Sequence, residues 1–442
     1  MEKRKKSFLF CLYIFVLAFF LSSCQFNSTC RKPKDGELKD IVGISYNGLR
    51  KKLAVLSSPR DVLAWCSAFV SVFDYDETQG KLSFDRNFEL SDNIANIVKW
   101  IKDSIVVSLY NKLEVIDYLS GNKLSVDTNL DINSLSVGSN SILVLSFIKG
   151  SALFVENFED FVSYRRAVLF SSLPNGIREG DFFSAGDGKE LAFLPLDKTF
   201  QAIIIPDNIS PRSLTFEVKE AISPGNSKKT EVSAVLSQLS FKPENSEEVR
   251  FISGAKSAGK FLVSLSQKGD KKGVLLLDSR CIAPDSQSSQ NCAWFLGVTE
   301  NVSDVFPFSL SLGSGNIFFF ILRGKNEAFS YIAYFDGSDL FLLSADSFPY
   351  SSFYELLQKE INEEKETSSS VVEDKFKESK SYGVSRNDKV ADNAENSDNL
   401  ANFSGKIYKI KLVFVMKSFM GGKEEDKLSI FTYESKLSLS QK

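Results

Sequence analysis

The chain has 442 residues, with 53 basic and 56 acidic side chains, a formal charge of −3 and no histidine. Hydrophobic residues at 43% and charged residues at 25% are globular proportions, and nothing in them gives the basic footprint of a nucleic-acid binder. Without histidine, neither a Ser-His-Asp nor a Cys-His centre can be built from this chain, and the commonest transition-metal ligand is missing.

Residues 1–23 read as a secretory signal. Lys3, Arg4, Lys5 and Lys6 form a basic start, and Phe8 to Leu21 is an almost unbroken apolar run, too short for a stable span with these flanks. Leu21-Ser22-Ser23-Cys24 closes it with small residues ahead of a cysteine. This tetrapeptide resembles the lipobox of bacterial lipoproteins. The resemblance implies cleavage before Cys24 and acylation of that residue as the mature N-terminus, enough for a stable membrane anchor. Loss of the signal leaves a mature chain of charge −6. The phenylalanine count of 39, with abundant Lys, Ser and Asn, is the usage of AT-rich genomes such as those of some spirochaetes.

Four cysteines remain after Cys11 and Cys24: Cys30, Cys66, Cys281 and Cys292. An even remainder in an exported chain points to disulfides. Cys281 and Cys292 bracket a short polar loop and are the pair expected to bridge, worth about 2–3 kcal/mol. Cys66 sits in the apolar run Val62 to Val72, where a buried thiol competes with a bridge to Cys30. The spacings do not suit zinc, so no metal and no cofactor is expected.

Residues 24–50 read as a polar tether, with Arg31, Lys32 and Lys34 near the acylated end. From about residue 51 to 350, short apolar or alternating runs recur between Gly, Asn, Asp and Ser clusters, the pattern of strands and tight turns. The clearest unit is Ser104 to Tyr110, the turn Asn111-Lys112, Leu113 to Tyr118, and a Ser-Gly-Asn turn into Lys123-Leu124. It resembles the blade repeat of quinoprotein-type β-propellers, in which a strand ending in Asp precedes a turn with Gly-x-Lys. Further hairpins start near Ala68, Ser141, Leu191, Phe261 and Asn316, and Lys406 to Lys417 pairs with Lys427 to Tyr433 across Gly421-Gly422. The expected fold is therefore all-β, a propeller of about seven four-stranded blades. A large β-sandwich or two smaller β domains are the competing arrangements.

One segment departs from the β pattern. Ser352-Phe353-Tyr354-Glu355 has the form of a capping box, and Phe353, Leu356, Leu357 and Ile361 share one helical face, so a short helix is expected within 351–404. It leads into a Glu-, Lys-, Ser- and Asn-rich stretch, residues 362–402, read as a disordered insertion before closing strands at 405–442.

No catalytic motif stands out. Ser257-Ala258-Gly259-Lys260 lacks the companion motifs of Ser-x-x-Lys enzymes and reads as a turn. Asp74 to Gly80 lacks the glycine and bidentate glutamate of a calcium loop and reads as a hairpin turn. Gly313-Ser314-Gly315, Asp187-Gly188 and Asp336 to Asp339 are turn chemistry as well. Trp65, Trp100 and Trp294 lie in or beside apolar strands and are expected in the core. The resulting expectation is a non-enzymatic interaction scaffold, held by lipid on Cys24 to the bacterial envelope, the outer membrane being favoured, with an envelope protein as partner. The Ser104–Leu124 unit resembles the propeller lipoproteins of outer-membrane protein assembly. The alternative is a surface-displayed lipoprotein that binds a host factor, and a carboxylate-only propeller enzyme is a third reading.

Overall fold

The computed structural model describes residues 32–58, 67–184, 188–197, 199–214, 216–222, 249–282, 291–312, 315–364, 406–420 and 423–439. Its seven sheets follow one another along the chain. Blade 1 holds β1 (Ile41–Asn47), β2 (Lys52–Ser57), β3 (Phe69–Asp76) and β4 (Lys81–Glu89). Blade 2 holds β5 (Ala95–Ile101), β6 (Ser104–Leu109), β7 (Lys112–Asp117) and β8 (Lys123–Asp127). Blade 3 holds β9 (Ser134–Val137), β10 (Ile142–Ser146), β11 (Ser151–Val155), helix α1 (Phe158–Tyr164) and β12 (Val168–Phe170). Blade 4 holds β13 (Asp181–Ser184), β14 (Glu190–Pro195), β15 (Gln201–Ile205) and β16 (Asn208–Ser213).

Blade 5 has five strands: β17 (Glu217–Glu220), β18 (Val249–Ala258), β19 (Phe261–Lys268), β20 (Lys271–Asp278) and β21 (Asn291–Gly297). Blade 6 holds β22 (Asp304–Leu312), β23 (Gly315–Arg323), β24 (Ala328–Phe335) and β25 (Leu340–Phe348). Blade 7 has three described strands, β26 (Tyr354–Glu364), β27 (Lys406–Met420) and β28 (Lys423–Leu439). Among the described residues, the strands within each blade pair antiparallel, except that β17 joins the outer edge of β21 in parallel. The molecule is a seven-bladed β-propeller.

Each sheet has two apolar faces and cannot cover either alone, so neighbouring blades must stack. Seven apolar clusters fill the seven seams, one between each successive pair of blades. Phenylalanine does much of the filling. Between blades 5 and 6, Phe261 packs edge-on against Phe318 at 5.1 Å, and Trp294 against Phe335 at 4.7 Å. Between blades 6 and 7, Phe319 meets Phe348, Phe414 and Tyr433.

The last seam closes the ring. Ile41, Leu53, Val55 and Phe73 of blade 1 pack against Leu357, Val413 and Val415 of blade 7. Three polar contacts cross with them. The Tyr46 N–H donates to Glu355 Oε1 at 2.8 Å, the Tyr75 hydroxyl to Gln358 Oε1 at 3.0 Å, and Lys417 Nζ to the Ile41 carbonyl at 3.2 Å. Among the described residues no strand is shared between blades 1 and 7, so side chains make the closure.

Two expectations are corrected. The segment from Ser352 is not a helix: Tyr354–Glu364 is β26, paired with β27 over its length. Its apolar residues suit either period. The pairing with β27 and the seam with blade 1 decide, overriding a local helix signal. The tether also ends earlier than residue 50, since Ile41–Asn47 is already a blade strand. Gly43 sits there because a Cβ would come 3.3 Å from Val98 of blade 2, a close approach that breaks the apolar alternation in the sequence. The expected insertion falls between β26 and β27, with residues 365–405 outside the described residues.

Leu53 is fully buried in the closing seam. Leu53→Ala is expected to cost about 2–5 kcal/mol in urea unfolding and to raise hydrogen exchange in β1 and β26 before the other blades.

Candidate interaction surfaces

The first antiparallel strand of each blade lines the axis. Along the ring, β1 lies against β5, β5 against β9, β9 against β13, β13 against β18, β18 against β22, and β26 against β1. These strands bring charged side chains together from distant parts of the chain. The Lys99 ammonium of β5 acts electrostatically on Glu179 and Asp181 of blade 4 and on Glu355 of β26. Burial pushes all three carboxyls up from their ordinary range, and Lys99 pulls against that shift. Asp181 and Glu355 are half-buried, and Glu179 is exposed.

Asp181 and Glu355 hold a neighbouring blade through the carboxylate, and Glu179 does so through its backbone. Asp181 Oδ2 accepts the Ser257 N–H at 2.7 Å, and the Glu179 carbonyl accepts the Ala255 N–H at 2.9 Å. The approach is so close that a Cβ on Gly254 would lie 2.6 Å from the Glu179 carbonyl oxygen. Lys256 Nζ bonds Asp304 Oδ1 at 2.9 Å and the Val305 carbonyl at 2.7 Å, and lies 3.9 Å over the Phe306 ring. Arg323 reaches Asp304 from the far side at 3.6 Å. The axial charges therefore clasp blade 4 to blade 5, blade 5 to blade 6 and blade 7 to blade 1.

The outer rim differs from blade to blade. Ten large apolar side chains are exposed among the described residues, and six belong to blade 3: Phe147, Ile148, Val162, Tyr164, Val168 and Leu169. Helix α1 begins at Asn157, whose Oδ1 accepts the Glu159 and Asp160 N–H groups, and it buries Phe158 and Phe161 against the seam with blade 2. That anchoring turns Val162 and Tyr164 outward. Strand β12 follows, pairing among the described residues only with β11, and leaves Val168 and Leu169 more than half exposed. Every other outermost strand carries charge or proline, such as Asp85 and Arg86 in β4, Lys123 and Asp127 in β8, and Pro211 and Arg212 in β16. Those residues discourage strand addition, and β12 has none of them.

The residues singled out in the sequence are dispersed. Cys24, Cys30, Cys66 and Trp65 lie outside the described residues. Cys281 and Cys292 are bonded, with their Cα atoms 5.9 Å apart, and tie the end of β20 to β21. Trp100 and Trp294 are buried. Asp76 Oδ1 accepts the Thr78 and Gln79 N–H groups, so Asp74 to Gly80 is the β3–β4 hairpin, and Asp336 does the same for Ser338 and Asp339. Ser257 to Lys260 is the β18–β19 turn. Lys99, Asp181, Lys256 and Glu355 escaped the sequence reading because only the ring brings them together.

No protein-family profile matches the chain, and no curated protein is similar to it. Solved structures do resemble it. The N-terminal domain of Nup159 is 10% identical, with a TM-score of 0.41 over 76% of this chain and 85% of that one. Kluyveromyces lactis Hsv2 is 11% identical, with a TM-score of 0.34 over 70% of this chain and 99% of that one. A chain of the mitotic checkpoint complex is 12% identical, with a TM-score of 0.39 over 73% of this chain and 86% of that one. The fold rests on the seven sheets themselves, and at these identities the likenesses carry nothing about function.

The Glu355 carboxyl gives the axial clasp a measurable sign. Its proton affinity is raised in the folded chain above the ordinary value of about 4.3. The stability linked to it is then fully present below that value and is lost as pH rises through the raised folded one. Glu355→Gln keeps an acceptor for the Tyr46 N–H and removes the titration. In urea unfolding between pH 4 and pH 7, the stability of the wild type relative to this variant is expected to fall with rising pH. A difference flat with pH would contradict the burial of that carboxyl at the axis.

Proposed function

We propose that this chain is a non-enzymatic protein-interaction scaffold, held to the bacterial envelope by lipid on Cys24. In this reading the blade 3 rim receives an extended segment of an envelope protein. The observation that carries the proposal is the coincidence of six exposed apolar side chains with a blade edge that lacks charge and proline. Apolar surface gathered at one place on a folded chain marks an interaction site more often than apolar side chains scattered singly. An open strand edge supplies backbone hydrogen bonds to an incoming strand, and Val168 and Leu169 supply its side-chain contacts. Blade 5 gives the precedent within this fold, since β17 already sits as an added parallel strand on β21.

The signal and lipobox residues support export and anchoring. The blade repeat of Ser104 to Leu124, which resembles the propeller lipoproteins of outer-membrane protein assembly, supports a role in envelope assembly. Labelled palmitate is expected to enter the wild-type chain and not Cys24→Ala. Recovery of an envelope protein crosslinked in cells is expected to fall about tenfold with Leu169→Lys, the loss of one interface anchor, and to be unchanged with Ser83→Lys on β4. Equal recovery from the two variants, or capture of host ligands alone, would overturn the proposal.

A further inference from the structure

The outer ends of blades 1 and 2 enclose a second feature, separate from the blade 3 rim. A cleft of about 290 Å³ lies between them, lined by Glu89, Leu90, Ser91, Glu114, Lys123 and Ser125. That volume is near the lower end for small-ligand pockets, about 300 Å³. Glu114, on β7, is 1% exposed. Its Oε2 accepts the Ser91 N–H at 2.9 Å, and its Oε1 has no hydrogen-bond partner. An ionised carboxylate offers about four acceptor sites, and leaving one of its oxygens buried and unpaired is costly.

We infer that this cleft receives a basic side chain of a partner protein, with Glu114 as the counter-charge. The rim already handles such groups within the chain. The Lys32 ammonium pairs with Glu89 Oε2 at 2.8 Å, and Lys123 Nζ donates to the Glu89 carbonyl. Lys32 takes Glu89 Oε2 and the Ser67 hydroxyl takes its Oε1, which leaves Glu114 Oε1 as the carboxylate oxygen of the cleft without a hydrogen-bond partner. The donor set suits an organic cation better than a metal. Among the described residues, no group of three or more His, Cys, Asp or Glu side chains is placed to hold an ion. An arginine fork fits the remaining acceptors well, since it can donate to the Glu114 carboxylate and to the hydroxyls of Ser91 and Ser125 together.

The test uses the full mature chain and two probes, acetyl-arginine amide and its neutral isostere acetyl-citrulline amide, in ligand-observed saturation-transfer NMR. The arginine probe is expected to bind in the millimolar range and the citrulline probe at least about tenfold more weakly. Glu114→Gln is expected to abolish that preference. Lys123→Ala, which removes a competing cation from the rim without touching Glu114, is expected to tighten arginine binding about threefold. It keeps the test informative should Glu114→Gln fail to fold. Absence of binding, equal binding of the two probes, a preference that survives Glu114→Gln, or weaker binding by Lys123→Ala would each overturn the inference.

Discussion

Each blade of this propeller has two apolar faces, and only its neighbours can cover them. That requirement explains the repeat, the ring and the phenylalanine-rich composition together. Strands in the middle of a blade, such as Ile142–Ser146 and Phe261–Lys268, are buried on both faces and so read as near-continuous apolar runs. Large aromatic rings bury much area and interlock edge-on, which suits a wedge-shaped seam between twisted sheets. The ring then ends where it began, with blade 7 packed on blade 1 through Leu357, Val413 and Val415.

Because every blade is built from a continuous stretch of chain, the closing seam depends on side chains. The axial charges complement it. Glu355 holds the Tyr46 amide across the closing seam, Asp181 holds the Ser257 amide across the seam between blades 4 and 5, and Lys256 reaches Asp304 across the next one. Burying carboxyls in this way is unfavourable in isolation, and their raised proton affinity expresses that cost. Backbone amides and the Lys99 and Lys256 ammonium groups offset it. A rigid ring of this kind leaves the rim free to vary, and the rim is where blade 3 departs from the others.

Much of the fold was legible in the sequence, and the physical reason lies in which strands are buried twice. The hairpins starting at Ala68, Ser104, Ser141, Leu191, Phe261 and Asn316 each correspond to adjacent strands of one blade. The axial strands were harder to see. β22 contains Pro307, β18 is interrupted by Ser253, Gly254, Lys256 and Ser257, and β26 carries apolar residues at helical spacing. They come together only once seven blades have assembled, so no local period announces them. The bridge between Cys281 and Cys292 was legible because its loop is short. The blade 3 rim left a faint trace, an apolar Val168-Leu169-Phe170 run beside Arg165 and Arg166 that reads equally well as a core strand. Glu114 left none, since one glutamate in an alternating strand looks solvent-facing until the neighbouring blade covers it.

In the proposed role, a rigid ring offers the uncharged edge of blade 3 to a segment of an envelope protein. The most direct measurement places a photocrosslinking amino acid at Leu169 in living cells, with the same group at Ser83 on β4 as the reference, and maps the crosslinked residues by mass spectrometry. The account predicts one dominant product at Leu169, joined to consecutive alternate residues of an extended segment in an envelope protein, and no such product at Ser83. Crosslinks spread over many unrelated proteins, or the same products from both positions, would contradict it.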